Sequence, residues 1–153
     1  MESDNRTQNR GTGHSLALWF PGEPKAVQSF RFTRGGGRYQ PTKTAEWKAY
    51  IRASAISQLP AGWEVLTGAV SIEAAFTFAL PKSAKKADRK LVECGEFLPK
   101  ITRPDLTDNL FKGLIDALTG IVWRDDAQIH QVWGRKCYSG CAGIKLVIRR
   151  DYE

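Results

Sequence analysis

The alternation between residues 70 and 80 constrains the fold most tightly. Val70, Ile72, Ala74, Phe76, Phe78 and Leu80 fall on one side of an extended chain, and Ser71, Glu73, Ala75 and Thr77 fall on the other. A period of two with one apolar side describes a half-buried strand, with a core on one face only. Such a strand is not stable alone, so the remaining chain must supply sheet partners and a cover.

The flanking segments supply both. Residues 14–20 (HSLALWF) read as a first strand, stopped by Pro21-Gly22. Residues 42–59 have helix character, because Trp47, Tyr50, Ile51, Ser54 and Ala55 recur at three- and four-residue spacing before Pro60-Ala61-Gly62. The basic run at 81–90 is expected as a loop or short surface helix. Residues 108–119 read as a buried helix through Leu110, Phe111, Leu114, Ile115 and Leu118, with Gly120 as its left-handed stop. Asp108 suits the N-cap of that helix, and Lys112 and Asp116 stand as an i, i+4 pair. A strand is expected to begin at 121–123, with a turn at 124–126 and further strands at 128–138 and 142–150. The expected fold is α+β (mixed α/β), a small mixed β-sheet covered by two helices. Residues 1–13 are polar and aperiodic, and are expected to be a disordered tail before a single domain at 14–153.

Charge indicates the partner. The chain carries a net +7 with a pI near 9.5, which favours an anion, nucleic acid before acidic membrane. Between Glu23 and Arg52 seven Lys or Arg residues face two Glu. Within that stretch Gly35-Gly36-Gly37 reads as a mobile hairpin tip, where Phe30, Phe32 and Tyr39 interleave with Arg31, Arg34 and Arg38. These aromatic side chains suit stacking on the bases of a nucleic acid, with a core or interface contact as the other reading for Phe30 and Phe32. No apolar run approaches the length of a membrane span, and the start lacks a signal pattern, so a cytoplasmic protein is expected. Cys94, Cys137 and Cys141 make an odd count without a second metal-ligand pair, and are read as reduced thiols.

Against this basic background stands an acidic constellation: Arg103-Pro-Asp-Leu-Thr-Asp-Asn-Leu-Phe-Lys112, then Asp116-Ala-Leu118, then Asp125-Asp126-Ala-Gln128. Each acid alone has a structural explanation as a cap, turn or surface partner. Together, carboxylates embedded in a cationic surface suit a divalent metal that meets a phosphate. If the strand after the helix returns alongside it, these groups come near one another.

The pattern resembles the RusA family of Holliday junction resolvases. The resemblance extends to the opening, Pro21-Gly22-Glu23-Pro24, Phe30-Arg31-Phe32, Arg38-Tyr39 and Thr42-Lys43, and spans roughly residues 18–147. It implies a homodimeric, Mg²⁺-dependent endonuclease, with Mn²⁺ as a candidate substitute, that nicks opposed strands of a four-way DNA junction in recombination and repair. It needs no small-molecule cofactor. The implied catalytic set is Asp105, Asp108, Lys112 and Asp126, with Asp105, Asp108 and Asp126 on the metal and Asp125 orienting the site or adding a ligand. Lys25, Arg31, Arg34, Arg38, Lys43 and Arg103 are the implied DNA contacts. One departure stands out: the family's Asp-x-Asp-Asn is here Asp-x-x-Asp-Asn. The extra residue must be absorbed as a bulge or turn before the helix cap. A site spoiled by Thr107 would leave the alternative, a protein that binds branched DNA without cutting it.

Overall fold

A computed structural model describes residues 15–28 and 30–152; the expected tail at 1–13 lies outside the described residues. Among the described residues five strands form the main sheet: β1 (Ser15–Pro21), β4 (Ala69–Phe78), β5 (Leu98–Pro99), β6 (Ile129–Tyr138) and β7 (Gly143–Tyr152). Their order is β1-β7-β4-β6-β5. Only β4 and β6 run parallel; the other neighbours are antiparallel, so the sheet is mixed as expected. A parallel pair needs a long crossover, and the chain between β4 and β6 carries α2 (Lys86–Glu93) and α3 (Lys112–Leu118). A separate hairpin, β2 (Arg31–Phe32) with β3 (Arg38–Tyr39), precedes α1 (Thr42–Gln58).

The alternation in β4 decides the layering. Val70, Ile72, Ala74, Phe76 and Phe78 are buried beneath α1 and α3, in a core shared with Leu18 and Phe20 of β1 and with Ile144, Leu146 and Ile148 of β7. Trp47, Ile51 and Ala55 of α1 and Leu114, Ala117 and Leu118 of α3 close that layer. Arg52 Nη1 ties the helices by donating to the Ala117 carbonyl at 3.0 Å. The opposite sheet face holds Glu73, which accepts from Arg149 at 3.4 Å. The basic run at 81–90 divides: residues 81–85 form a turn, and residues 86–90 enter α2, which buries no residue.

Two expectations are corrected. Residues 121–123 do not open a strand: the Ile121 and Val122 N–H groups both return to the Leu118 carbonyl, and Trp123 makes only isolated bridges to Leu66 and Thr119. The segment is apolar because Val122 and Trp123 plug the core below the helix, with Trp123 Nε1 donating to Thr119 Oγ1 at 3.0 Å. The helix expected at 108–119 begins earlier, with a π-helical turn over Leu106–Phe111 that runs into α3.

Candidate active site

Asp105 occupies the N-cap position of the π turn with extended backbone, and Asp108 lies inside that turn. The expected cap at Asp108 is therefore not formed. Nor does Asp105 cap through its side chain; its neighbour is the Asn109 amide, with Nδ2 3.5 Å from Oδ2. Both acids are exposed. The Leu110 N–H reaches back five residues to the Asp105 carbonyl, at 3.1 Å. A π turn holds one residue more than an α turn, so the additional residue between the acids is taken up inside the helix rather than before its cap. Leu110 and Phe111 still turn into the core, where Phe111 meets Phe76 edge-on at 5.2 Å between centroids.

Two lysines that were absent from the sequence candidates hold the loop before Asp105. Lys136 of β6 donates to the Thr102 carbonyl at 2.5 Å and the Pro104 carbonyl at 2.7 Å. Lys100 donates to Thr102 Oγ1 at 2.6 Å and lies over the Phe78 and Tyr138 rings. Nothing in the sequence distinguished either lysine from the other surface cations.

Lys112 opens α3 and is exposed; among the described residues its ammonium pairs with no carboxylate. The expected partner, Asp116, is engaged by Lys48 of α1 at 3.6 Å instead. The helix thus presents Lys112 free for another anion.

At the far end of the helix, Asp125 shapes the turn that carries Asp126. Its Oδ1 accepts from the Ala127 N–H at 2.8 Å, and its own N–H donates to Gln128 Oε1 at 2.7 Å. Gln128 Nε2 then donates to the Leu66 and Gly68 carbonyls, both at 2.9 Å, which pins the turn against the entry to β4. The fourth member of the Asp-Asp-x-Gln motif is therefore a brace, a role unassigned from sequence. The Asp126 carboxylate is left exposed, without a hydrogen bond or ion pair among the described residues.

Within one chain these acids do not gather. Six π-helical and seven α-helical residues separate the Asp105 end from the Asp126 end, roughly 20 Å of helix. The strand gives the same answer: Lys136, which touches Pro104, lies roughly 23 Å along β6 from Ile129. Strand β6 does return beside the helix, but it runs antiparallel to it, so Asp125 and Asp126 start at the end opposite Asp105. Among the described residues no three His, Cys, Asp or Glu side chains form a group able to hold a metal ion. The three cysteines are free, and burial pushes the Cys137 thiol up in pKa, opposed by the nearby Arg135 charge.

The cationic candidates divide into two groups. Arg31, Arg34 and Arg38 lie on the β2–β3 hairpin, flanked by Lys25 and Lys43, and all five are exposed. Arg103, also exposed, precedes Pro104 in the loop that leads to Asp105.

Exposed carboxylates and a free lysine on one helical segment, with a cationic hairpin elsewhere on the surface, are what a phosphodiester-cleaving protein needs. Residues 21–149 match the family model described as Endodeoxyribonuclease RusA, so the chain belongs to the RusA endodeoxyribonuclease family. It is accordingly a nuclease that hydrolyses phosphodiester bonds and resolves Holliday junctions. The chain is also similar to the protein named "Uncharacterized protein YqaN" of Bacillus subtilis (strain 168), with 30% identity over 132 residues that cover 84% of this chain and 91% of that protein. Among the described residues no helix is long and apolar enough to cross a membrane.

Proposed function

We propose that the chain works as a cytoplasmic homodimer that places paired, symmetric nicks in four-way DNA junctions with Mg²⁺, each metal site being shared between two subunits. The observation that carries this reading is the separation of the motif acids to opposite ends of one helix, beside an open sheet edge. Strand β5 pairs only with Tyr138 and Cys137, so among the described residues no strand lies on the outer side of residues 129–135 of β6. Val132 and Trp133 on that stretch are 48% and 51% exposed. An edge with unpaired backbone groups and exposed apolar side chains favours addition of a second strand. Antiparallel pairing of two β6 strands about a two-fold axis sets the start of one against the end of the other. Asp126 of the partner subunit then comes to the end where Asp105 and Asp108 stand.

The donor chemistry suits Mg²⁺: hard carboxylate oxygens, exposed, with those of Asp108 and Asp126 engaged by no other described group. Asp105, Asp108 and Asp126 of the partner subunit would hold the ion, and Mn²⁺ takes the same oxygen donors. When bound, the ion supplies Lewis-acid neutralisation of phosphate charge. Lys112 adds a point charge for a phosphate oxygen near the same helix. Asp125 positions Asp126 through the turn rather than ligating. Arg31, Arg34, Arg38, Lys25 and Lys43 hold the backbone of a junction arm, and Arg103 the strand nearest Asp105.

Cleavage of an end-labelled four-way junction by the wild type and Asp126→Asn, with Mg²⁺ or EDTA, tests this reading. Paired symmetric nicks that vanish in EDTA and in the variant are expected. Tight junction binding without nicks would leave the non-cutting junction binder in its place.

A further inference from the structure

The β2–β3 hairpin displays an aromatic ring that the fold does not use. Its turn is built rather than slack: the Thr33 N–H donates to the Gly37 carbonyl at 2.7 Å and the Gly36 N–H to the Thr33 carbonyl at 3.1 Å. Thr33 Oγ1 also accepts from the Gly37 N–H at 3.0 Å and donates to the Gly37 carbonyl at 3.2 Å. Gly36 takes a φ of 79°, a conformation that requires glycine or tolerates little else. The three aromatics of this region then differ. Phe30 carries the Arg38 guanidinium over its ring at 4.2 Å. Tyr39 is 47% exposed, whereas Phe32 is 76% exposed, and no ring or cation of a described residue engages it.

A braced turn that holds a phenyl ring out in water incurs an apolar exposure that no contact among the described residues offsets. The surroundings show what would cover it. From Lys25 to Lys43 there is no acidic residue, and Arg31, Arg34 and Arg38 flank the ring. Cations around one apolar ring complement phosphates around an unstacked base. A continuous duplex offers such a base only after a step is unstacked, whereas a branch point already has weakened stacking.

We infer that Phe32 enters the crossover of the bound junction and opens the stacking there, while the flanking arginines hold the phosphates on either side. This rests on the junction-resolving reading above and specifies how the branch is told from a plain duplex.

The test is a four-way junction carrying 2-aminopurine beside the branch, bound in Mg²⁺ by proteins that also carry Asp126→Asn to prevent cutting. Binding is expected to raise the 2-aminopurine fluorescence. Phe32→Ala should abolish that rise and weaken junction affinity about tenfold while leaving duplex affinity unchanged, and Phe32→Tyr should restore both. An undiminished rise with Phe32→Ala overturns the inference. So does conversion of Phe32→Ala to a monomer in sedimentation, which would make the ring a contact between copies of this chain. A wild type that nicks junctions without any fluorescence response sinks the wedge alone. A wild type that neither prefers nor nicks junctions sinks the resolvase reading and the wedge with it.

Discussion

Asp125 and Gln128 hold each other across one short turn: the Asp125 N–H donates to Gln128 Oε1 at 2.7 Å, and the Gln128 N–H donates to the Asp125 carbonyl at 3.1 Å. Between them Asp126 is presented to solvent. Adjacent acids in the sequence thus have unlike roles, one closing the turn and one left available. The distinction follows from bonding, since Asp125 Oδ1 already accepts from Ala127.

This division separates the two acids experimentally. Asn caps as well as Asp, so Asp125→Asn should keep junction cleavage within a few-fold of wild type, and Asp125→Ala should cost about 1 kcal/mol of stability. Asp126→Asn should lower the cleavage rate by roughly 10²-fold or more with unchanged unfolding, as expected when a ligand oxygen is lost. Equal losses of cleavage in Asp125→Asn and Asp126→Asn would make Asp125 a ligand.

A shared site predicts complementation. Asp105→Asn and Asp126→Asn proteins are each expected to be inactive alone. Co-refolded, their mixed dimers combine Asp105 and Asp108 of one subunit with Asp126 of the other, and one site becomes whole. Nicking of a single strand per junction should then reappear, without paired cuts by the same dimer. Mixed dimers that stay inactive would place all the ligands within one chain.

Much of the architecture was legible because burial is written as periodicity. The alternation at 70–80 located β4 within two residues, and the three- and four-residue spacing located α1 within one. Apolarity misled at Val122 and Trp123, where side chains fill a hole beneath a helix and no strand forms; composition alone does not separate these cases. The π turn was foreshadowed only as a surplus residue, since what absorbs it is a hydrogen bond from Leu110 to Asp105. The acids were legible as a motif, yet their distance apart was not. That distance depends on β6 running parallel to β4, a fact of topology that no local pattern records.

The π turn has a steric counterpart on the sheet. A Cβ built on Gly134 would lie 2.2 Å from Phe111 Cε2 and 2.3 Å from its Cζ, so this strand position accepts Phe111 only because it is glycine. Gly134→Ala should destabilise the protein by about 1–3 kcal/mol, read as a lower urea midpoint. Because Phe111 ends the turn that bears Asp108, cleavage should fall as well. Phe111→Leu in the same chain should recover part of the stability, a non-additivity that independent sites would not show.

Lys112 offers the last and sharpest separation of structure from chemistry. Its ammonium is exposed and its expected helix partner is taken, because Asp116 pairs with Lys48 at 3.6 Å. Lys112→Met removes the charge while keeping the stem, so unfolding should move by no more than about 0.5 kcal/mol. Loss of a charge aimed at a transferring phosphate typically costs roughly 10²-fold or more in rate, and single-turnover junction cleavage should show that loss. Lys48→Met is the control: it breaks the only ion pair found for Asp116 among the described residues and should leave cleavage near wild type. If both variants cut at the wild-type rate, Lys112 is an ordinary surface residue, and phosphate charge must be met elsewhere.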